Sequence, residues 1–156
     1  MAQYGYGNHR IRKISTAGVV TTLAGSGVSG FMDGTLAMAR FNRPAGVAVD
    51  ASGNVYVADE ANHRIRKISP EGVVTTLAGN GTAGFAEGTV LTTQFSSPRN
   101  IVVDGLDNLY VADRNNHRVC KISPDGKVIY NSGRWKISRK RWYIGFYGRA
   151  GQRGSI

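Results

Sequence analysis

Short runs of alternating apolar and polar residues fill most of the chain, and turn residues separate one run from the next. Alternation with a period of two residues predicts half-buried β-strands. Between residues 44 and 97 the predicted strands cover 46–50, 55–58, 64–68 and 73–77. No run keeps the 3.6-residue period of a helix. The pattern therefore predicts an all-β chain of short antiparallel strands.

The chain also repeats itself at a fixed interval. The tripeptide Asn-His-Arg occurs at 8–10, 62–64 and 116–118, and both intervals are 54 residues. Aligning 8–42 on 62–96 gives 22 identities in 35 positions. One repeat carries four predicted strands joined by short turns, and a four-stranded antiparallel sheet repeated in this way is the blade of a β-propeller.

Two segments of the repeat resemble a known family. Pro-x-Gly-Val-Ala-Val-Asp at 44–50 and Val-Tyr-Val-Ala-Asp-x-x-Asn-His-Arg-Ile-Arg-Lys-Ile at 55–68 are similar to the NHL repeat, which is named for an Asn-His-Leu triad. Arg64 and Arg118 replace the Leu here, as in the long bacterial-type variety with a Leu-Ala-Gly-x-Gly-x-x-Gly-Phe insert. The resemblance covers about residues 8–128. It implies a propeller, usually of six blades, that acts as a recognition platform, and it implies no single activity.

The number of repeats is small for a propeller. The predicted units are 1–43 (partial), 44–97 (full) and 98–128 (partial), or about 2.4 four-stranded blades. Closed propellers contain four to eight blades. We therefore expect an NHL-type β-propeller fragment that this chain alone does not close. The favoured interpretation is a piece of a longer propeller, and the alternative is self-assembly of copies that completes the propeller.

Residues 129–156 form an atypical basic tail that departs from the repeat. The codons TAC-AAC-TCT-GGC-AGG encode Tyr-Asn-Ser-Gly-Arg at 130–134, and the same letters read one nucleotide later encode Thr-Thr-Leu-Ala and begin a Gly codon, which is the run found at 75–79 in the preceding unit. The favoured hypothesis is therefore a frameshift product. The alternative is a genuine tail in which basic and aromatic residues interleave, a composition that binds nucleic acid or membrane surfaces.

The net charge of +10 is distributed unevenly between these two parts. Residues 1–128 contain 13 basic and 10 acidic residues, whereas residues 129–156 contain seven basic and no acidic residues. Most of the positive charge therefore lies outside the repeats. The basicity is weak evidence that the repeats bind nucleic acid.

The residues around each Asn-His-Arg triplet are predicted to form structural turns. Asp and Asn at this spacing favour Asx-type turns, because their short side chains accept backbone N–H bonds. His side chains at equivalent places on successive blades cannot converge on one metal ion, so we expect no metal site and no cofactor. The predicted turn residues are Asp59, Asn62, His63, Asp113, Asn116 and His117.

A binding surface is assigned to loop and rim positions, chosen partly because they differ between matching repeats. The basic strand 64–67 is interpreted as a solvated outer strand with a few ion pairs, and the alternative is a rim that binds phosphates or RNA. The assigned binding residues are Glu60, Ala61, Arg64, Arg66, Arg114, Asn115 and Arg118.

No motif points to catalysis. There is no Gly-x-Ser-x-Gly nucleophile elbow, and the lone Cys120 is expected to be inert. The recurring Phe31, Phe41, Phe85 and Phe95 are predicted to form the core between blades. We therefore expect a non-catalytic module that binds a protein or other ligand. The alternatives are a platform for RNA or anionic ligands, and a piece of a propeller hydrolase or lyase. No signal peptide or membrane span is evident, and the compartment stays open.

Overall fold

The structure is a computed structural model, and it describes residues 7–130. This part of the chain consists of twelve β-strands and two single-turn 3₁₀ segments, Glu60–Asn62 and Arg114–Asn116. The strands are β1 Ile11–Ile14, β2 Val20–Ala24, β3 Gly34–Thr35, β4 Pro44–Val49, β5 Val55–Asp59, β6 Arg64–Ile68, β7 Val73–Ala78, β8 Gly88–Thr89, β9 Pro98–Val103, β10 Leu109–Asp113, β11 Arg118–Ile122 and β12 Lys127–Tyr130.

The strands form three antiparallel sheets in an open stack within the described residues. The first sheet contains β1 and β2, the second has the order β3-β7-β6-β5-β4, and the third has the order β8-β12-β11-β10-β9. The second and third sheets share their register: Val57 pairs with Arg66 in one, and Val111 pairs with Cys120 in the other. The prediction of an all-β chain of four-stranded meanders is therefore confirmed.

Each complete sheet has a fifth strand that the alternation pattern does not predict. β3 pairs with β7 and β8 pairs with β12, and each of these short strands contains only two residues. Both precede the sheet that they join, because the Gly-rich stretch between repeats folds forward onto the following sheet. A sheet therefore begins about ten residues before the predicted units at 44 and 98.

The end of the third sheet lies two residues beyond the predicted boundary. β12 continues to Tyr130, which pairs with Cys120 and is buried. This corrects the assignment of residues 129 and 130 to the atypical tail. The rest of that predicted segment, 131–156, lies outside the described residues.

The core lies between successive sheets. One cluster joins the second sheet to the third: Ile65 and Ala58 pack with Ile122, Val128 and Phe95. A matching cluster joins the first sheet to the second, where Ile68 and Val74 occupy the places that Ile122 and Val128 take one repeat later. Each sheet thus presents one face to the sheet before it and the opposite face to the sheet after it.

Candidate functional site

The carboxylate of Asp59 holds together segments that are distant in sequence. Its Oδ1 accepts the backbone N–H of Asn42 at 2.8 Å, and its Oδ2 accepts Asn62 Nδ2 at 2.8 Å. Asn62 Nδ2 also donates to the carbonyl of Gly30 at 2.8 Å. Burial raises the pKa of Asp59, although these donors act in the opposite direction. The carboxylate does not cap the backbone of its own 3₁₀ turn. It bonds instead to the Asn62 side chain within the turn and to the backbone of Asn42 on a distant segment.

The third sheet repeats this arrangement one interval later. Asp113 Oδ1 accepts the N–H of Ser96 at 2.7 Å, and Asn116 Nδ2 donates to Asp113 Oδ2 at 2.6 Å and to the carbonyl of Gly84 at 2.7 Å. Burial raises the pKa of Asp113 as well. The Asp-x-x-Asn spacing therefore carries the same intramolecular contacts in both complete sheets.

The repeated His links one sheet to the loop that enters the next. His63 has the left-handed backbone conformation (φ 53°), and its Nδ1 accepts the N–H of Ser97 at 3.0 Å. His9 accepts the N–H of Arg43 at 3.2 Å in the same way. Within residues 7–130, no equivalent bond is found for His117. The imidazoles of His9 and His63 thus each accept one hydrogen bond, and they belong to separate sheets.

Arg66 is fully buried, so its assignment to an exposed binding rim is wrong. Its guanidinium forms ion pairs with Asp59 (2.9 Å) and Asp33, and it donates to the carbonyls of Arg40 (3.0 Å) and Met32 (2.8 Å). These four acceptors satisfy the charge inside the sheet stack. The interpretation of 64–67 as a solvated outer strand with a few ion pairs is wrong about solvation at this position, although the ion pairs are present.

The third sheet replaces Arg66 by Cys120, and two other side chains supply the missing donors. The single hydroxyl proton of Tyr130 is shared between the carbonyl of Gln94, 2.8 Å away, and Asp113 Oδ2, 3.1 Å away. Thr93 Oγ1 donates to the carbonyl of Ala86 at 2.7 Å. Three of the oxygens bonded to Arg66 in the second sheet therefore have equivalents in the third sheet that are also hydrogen-bonded. These equivalents are the carbonyls of Gln94 and Ala86 and the carboxylate of Asp113. Burial raises the pKa of the Cys120 thiol, which is consistent with an inert side chain.

Two of the four repeated phenylalanines lie outside the core. Phe41 and Phe95 are fully buried, as predicted, but Phe31 and Phe85 are 44% and 43% exposed. The Arg64 guanidinium carbon lies 3.8 Å from the centre of the Phe31 ring, and Arg118 lies at the same distance from Phe85. Both arginines assigned to the rim therefore stack on aromatic rings.

The remaining predicted binding residues cluster at the end of the sheets where β5 meets β6 and β10 meets β11. Buried Glu60 lies between two arginines, with its Oε1 3.4 Å from Arg114 Nη1 and 3.9 Å from Arg43 Nη2. Asn115 is exposed, and Ala61 is half-buried. We call this surface, formed by Arg43, Glu60, Ala61, Arg114 and Asn115, the turn face.

Sequence reasoning missed Arg43 and Asp33. Arg43 occupies the position that Ser97 takes one repeat later, so a comparison of the repeats could have found it as a variable site. Asp33 has an acidic counterpart in Glu87 one repeat later. An acidic residue is thus present at this position in both repeats, and Cys replaces Arg at position 120. Together these two observations indicate that position 66 is buried near a carboxylate.

Two further features limit the chemistry of the described residues. Among residues 7–130, no group of three His, Cys, Asp or Glu side chains is arranged to hold a metal ion. Nor does this part of the chain contain a helix with the length and apolar character that a bilayer crossing requires.

Comparison with known families agrees with the repeat. The family model described as NHL repeat matches residues 41–68 and 95–122. Each matched segment contains one complete Asp-x-x-Asn-His run. The chain contains two NHL repeats. Each matched segment begins at a buried Phe, Phe41 or Phe95, and includes three strands, β4 to β6 or β9 to β11.

Curated relatives share the repeat over part of their length. The chain is 40% identical over 85 residues to Protein SUPPRESSOR OF QUENCHING 1, chloroplastic, of Arabidopsis thaliana, which covers 54% of this chain and 8% of that protein. It is 36% identical over 104 residues to NHL repeat-containing protein 2 of Bos taurus, covering 64% of this chain and 14% of the relative. The chain thus spans less than a sixth of the length of these two relatives.

Solved structures show the same fold. A structural genomics protein of unknown function from Bacteroides thetaiotaomicron matches with a TM-score of 0.71 and 28% identity, over 80% of this chain and 31% of that chain. An auxiliary nutrient binding protein from the same organism matches with a TM-score of 0.66 and 27% identity, over 80% and 33%. A streptogramin B lyase matches at 0.52 and 17% identity, over 80% and 34%, a likeness in fold alone. The chain is an NHL-repeat β-propeller module.

Proposed function

We propose that this NHL-repeat module is a non-catalytic scaffold that binds a protein partner through the turn face. The observation that supports this proposal is that the repeated residues and the variable residues have different roles. The repeated Asp, Asn and His side chains bond to distant segments of the stack, whereas the exposed residues at the turn face differ from one repeat to the next. Rigid strands that present variable loops are a common basis for recognition.

The charge arrangement at the turn face favours a protein over a polyanion. Glu60 sits between Arg43 and Arg114, so part of the positive charge there is already compensated within the surface. The side chain of Arg114 remains 52% exposed beside Asn115. A surface with one partly satisfied Arg and adjacent amide groups suits a partner that offers mixed polar contacts and a carboxylate.

RNA or another anionic ligand is the second candidate. Arg114 and Arg118 are both exposed, and they supply the positive charge that phosphates require. Binding of this kind falls steeply with salt, because condensed counterions are released on association. The two candidates therefore differ in a measurable way.

A propeller enzyme is the third candidate, since a streptogramin B lyase shares the fold. Sheets from other parts of such a propeller would have to supply reactive groups. In the described residues, the buried carboxylates Asp59 and Asp113 accept intramolecular donors on both oxygens. This occupancy is why we favour binding over catalysis.

The proposal is tested by affinity capture with the full chain and two variants. Arg114→Ala combined with Asn115→Ala removes the exposed part of the turn face. Leu106→Ser changes an exposed side chain in the turn between β9 and β10, and it serves as the matched control. We expect a protein that is retained by the wild type and the control, and whose purified form binds the double variant at least about tenfold more weakly.

Three outcomes contradict the proposal. The first is equal retention of the same proteins by the turn-face variant. The second is capture that disappears with ribonuclease and weakens by orders of magnitude between low and physiological salt, which selects the RNA candidate. The third is substrate turnover by the purified chain, which selects the enzyme.

A further inference from the structure

The outward face of the third sheet carries exposed apolar side chains around Lys121. Val102, Val119 and Ile129 point to the side opposite the second sheet, and they are 46%, 36% and 43% exposed. Ala112 lies beside Val119 in the same register. Within residues 7–130 no further sheet covers these side chains. We call them the outward face.

The same face of the preceding repeat is covered, and the chain itself shows by what. Ala58 and Ile65 occupy in the second sheet the positions of Ala112 and Val119, and neither is exposed. They are buried by the inward face of the third sheet, where Ile122 and Val128 are members of the same cluster. A sheet of the same repeat is therefore the natural occupant of an outward face.

An uncovered inward face is present at the other end of the stack. Ile14 and Val20 lie in the first sheet at the positions of Ile68 and Val74, one repeat earlier. They are 49% and 47% exposed, whereas Ile68 and Val74 are buried against the first sheet. The described stack thus carries one unpaired outward face and one unpaired inward face, which are the two halves of its own internal interface.

We propose that two copies of this chain associate head to tail, with Ile14 and Val20 of each copy packed on Val119 and Ile129 of the other. The described residues of each copy form two five-stranded sheets and one two-stranded part of a sheet. A pair therefore contains four complete and two partial sheets, and closed propellers contain four to eight blades. Contacts between unlike faces either close into a ring or continue as a filament. If the ring closes after two copies, the outward and inward faces of both chains are covered. This association does not involve the turn face.

Light scattering coupled to size exclusion tests the assembly with the full chain. The wild type is expected at twice the 16.8 kDa of the chain. Val119→Asp on the outward face and, separately, Ile14→Asp on the inward face each place a charge in the contact. Either change is expected to raise the dissociation constant more than about a hundredfold, because an unpaired charge is costly to bury. Leu106→Asp, in an exposed turn, is the control and should leave the dimer intact.

Mixing the two defective variants tests the head-to-tail arrangement directly. The Val119→Asp chain keeps an unchanged inward face, and the Ile14→Asp chain keeps an unchanged outward face. An equimolar mixture should therefore form a heterodimer, whereas each variant alone stays monomeric. Circular dichroism and urea unfolding of each variant establish that it is folded, and Ile129→Lys replaces Val119→Asp where it is not.

Four results would overturn the proposal. One is a monomeric wild type at all concentrations. Another is a dimer that survives Val119→Asp. A third is a dimer that is lost with Val119→Asp but unaffected by Ile14→Asp, which indicates contact between two outward faces. The fourth is a mixture that contains only monomers.

Discussion

The replacement of Arg66 by Tyr130 as the donor to a buried carboxylate leads to a quantitative prediction. Tyr130→Phe removes one hydroxyl and keeps the ring that packs on Phe85, 4.6 Å away between centroids. The change leaves Asp113 Oδ2 with Asn116 alone and leaves the carbonyl of Gln94 without this donor. Both Tyr130 and Asp113 are buried, so water does not readily replace the hydroxyl.

A hydrogen bond to a charged group contributes about 1.5–3 kcal/mol, and Asp113 keeps two other donors. We therefore expect Tyr130→Phe to lower the free energy of unfolding by about 2 kcal/mol at neutral pH. With a urea m-value of about 2 kcal/mol/M, the midpoint falls by about 1 M at unchanged slope. Urea unfolding followed by circular dichroism at one protein concentration measures this.

Tyr56→Phe is the matched control, because it removes a hydroxyl from the half-exposed carboxylate of Asp50. Water and Asn54 can still satisfy Asp50, so we expect a loss of only about 0.5 kcal/mol. The deficit of Tyr130→Phe should also shrink at acidic pH, where Asp113 becomes protonated and needs the donor less. Equal losses for the two variants, or a deficit of Tyr130→Phe that does not change with pH, would refute the reasoning.

Four further measurements follow from other contacts. Cys120→Arg and Tyr130→Thr should each destabilise the fold, while the double variant restores the Arg–Thr pair that the second sheet has at 66 and 76 and recovers at least about 1 kcal/mol in a double-mutant cycle. His63→Ala loses its bond to the next sheet and should cost about 1 kcal/mol more in urea unfolding than His117→Ala, which has the same backbone conformation. Burial and the Asp50 carboxylate raise the pKa of Tyr56 to about 12. The stability that this group contributes is therefore complete below pH 10 and is lost as the pH rises through about 12. Phenolate absorbance should show that Asp50→Asn lowers the pKa of Tyr56. Gly46→Ala would place a Cβ 2.7 Å from the backbone of β9 and should lower the thermal midpoint more than Gly105→Ala, where the space is open.

The strands were predictable from the sequence because alternation and turn residues act locally. The predicted runs 55–58 and 64–68 correspond to β5 and β6 with an error of at most one residue. By contrast, β3 and β8 contain two residues each within Gly-rich stretches, so they carry no alternation to recognise. Their pairing depends on how the stretch crosses the edge of the sheet, which is a tertiary effect.

The burial of Arg66 was not predictable from its strand, because a basic residue between Ile65 and Lys67 has the pattern of a solvent-facing position. Its environment is set by Asp33, 33 residues earlier in the chain, and by Asp59 on the neighbouring strand. A buried charge of this kind is retained only when several acceptors surround it. Such a set is visible only after the sheets are stacked.

Comparison of the repeats contains the missing signal, because the third sheet changes several of these positions together. Arg66 corresponds to Cys120, Thr76 to Tyr130 and Ala39 to Thr93, and the two new hydroxyls serve the acceptors that the guanidinium serves one repeat earlier. This compensation bears on the frameshift hypothesis, which makes Tyr130 the first residue in the shifted frame. A residue that donates to Asp113 and closes the edge of β12 has the contacts of a position that belongs to the sheet. The double-mutant cycle between Cys120 and Tyr130 therefore also tests where the structural repeat ends: strong coupling extends it to Tyr130, and the absence of coupling ends it at Ile129.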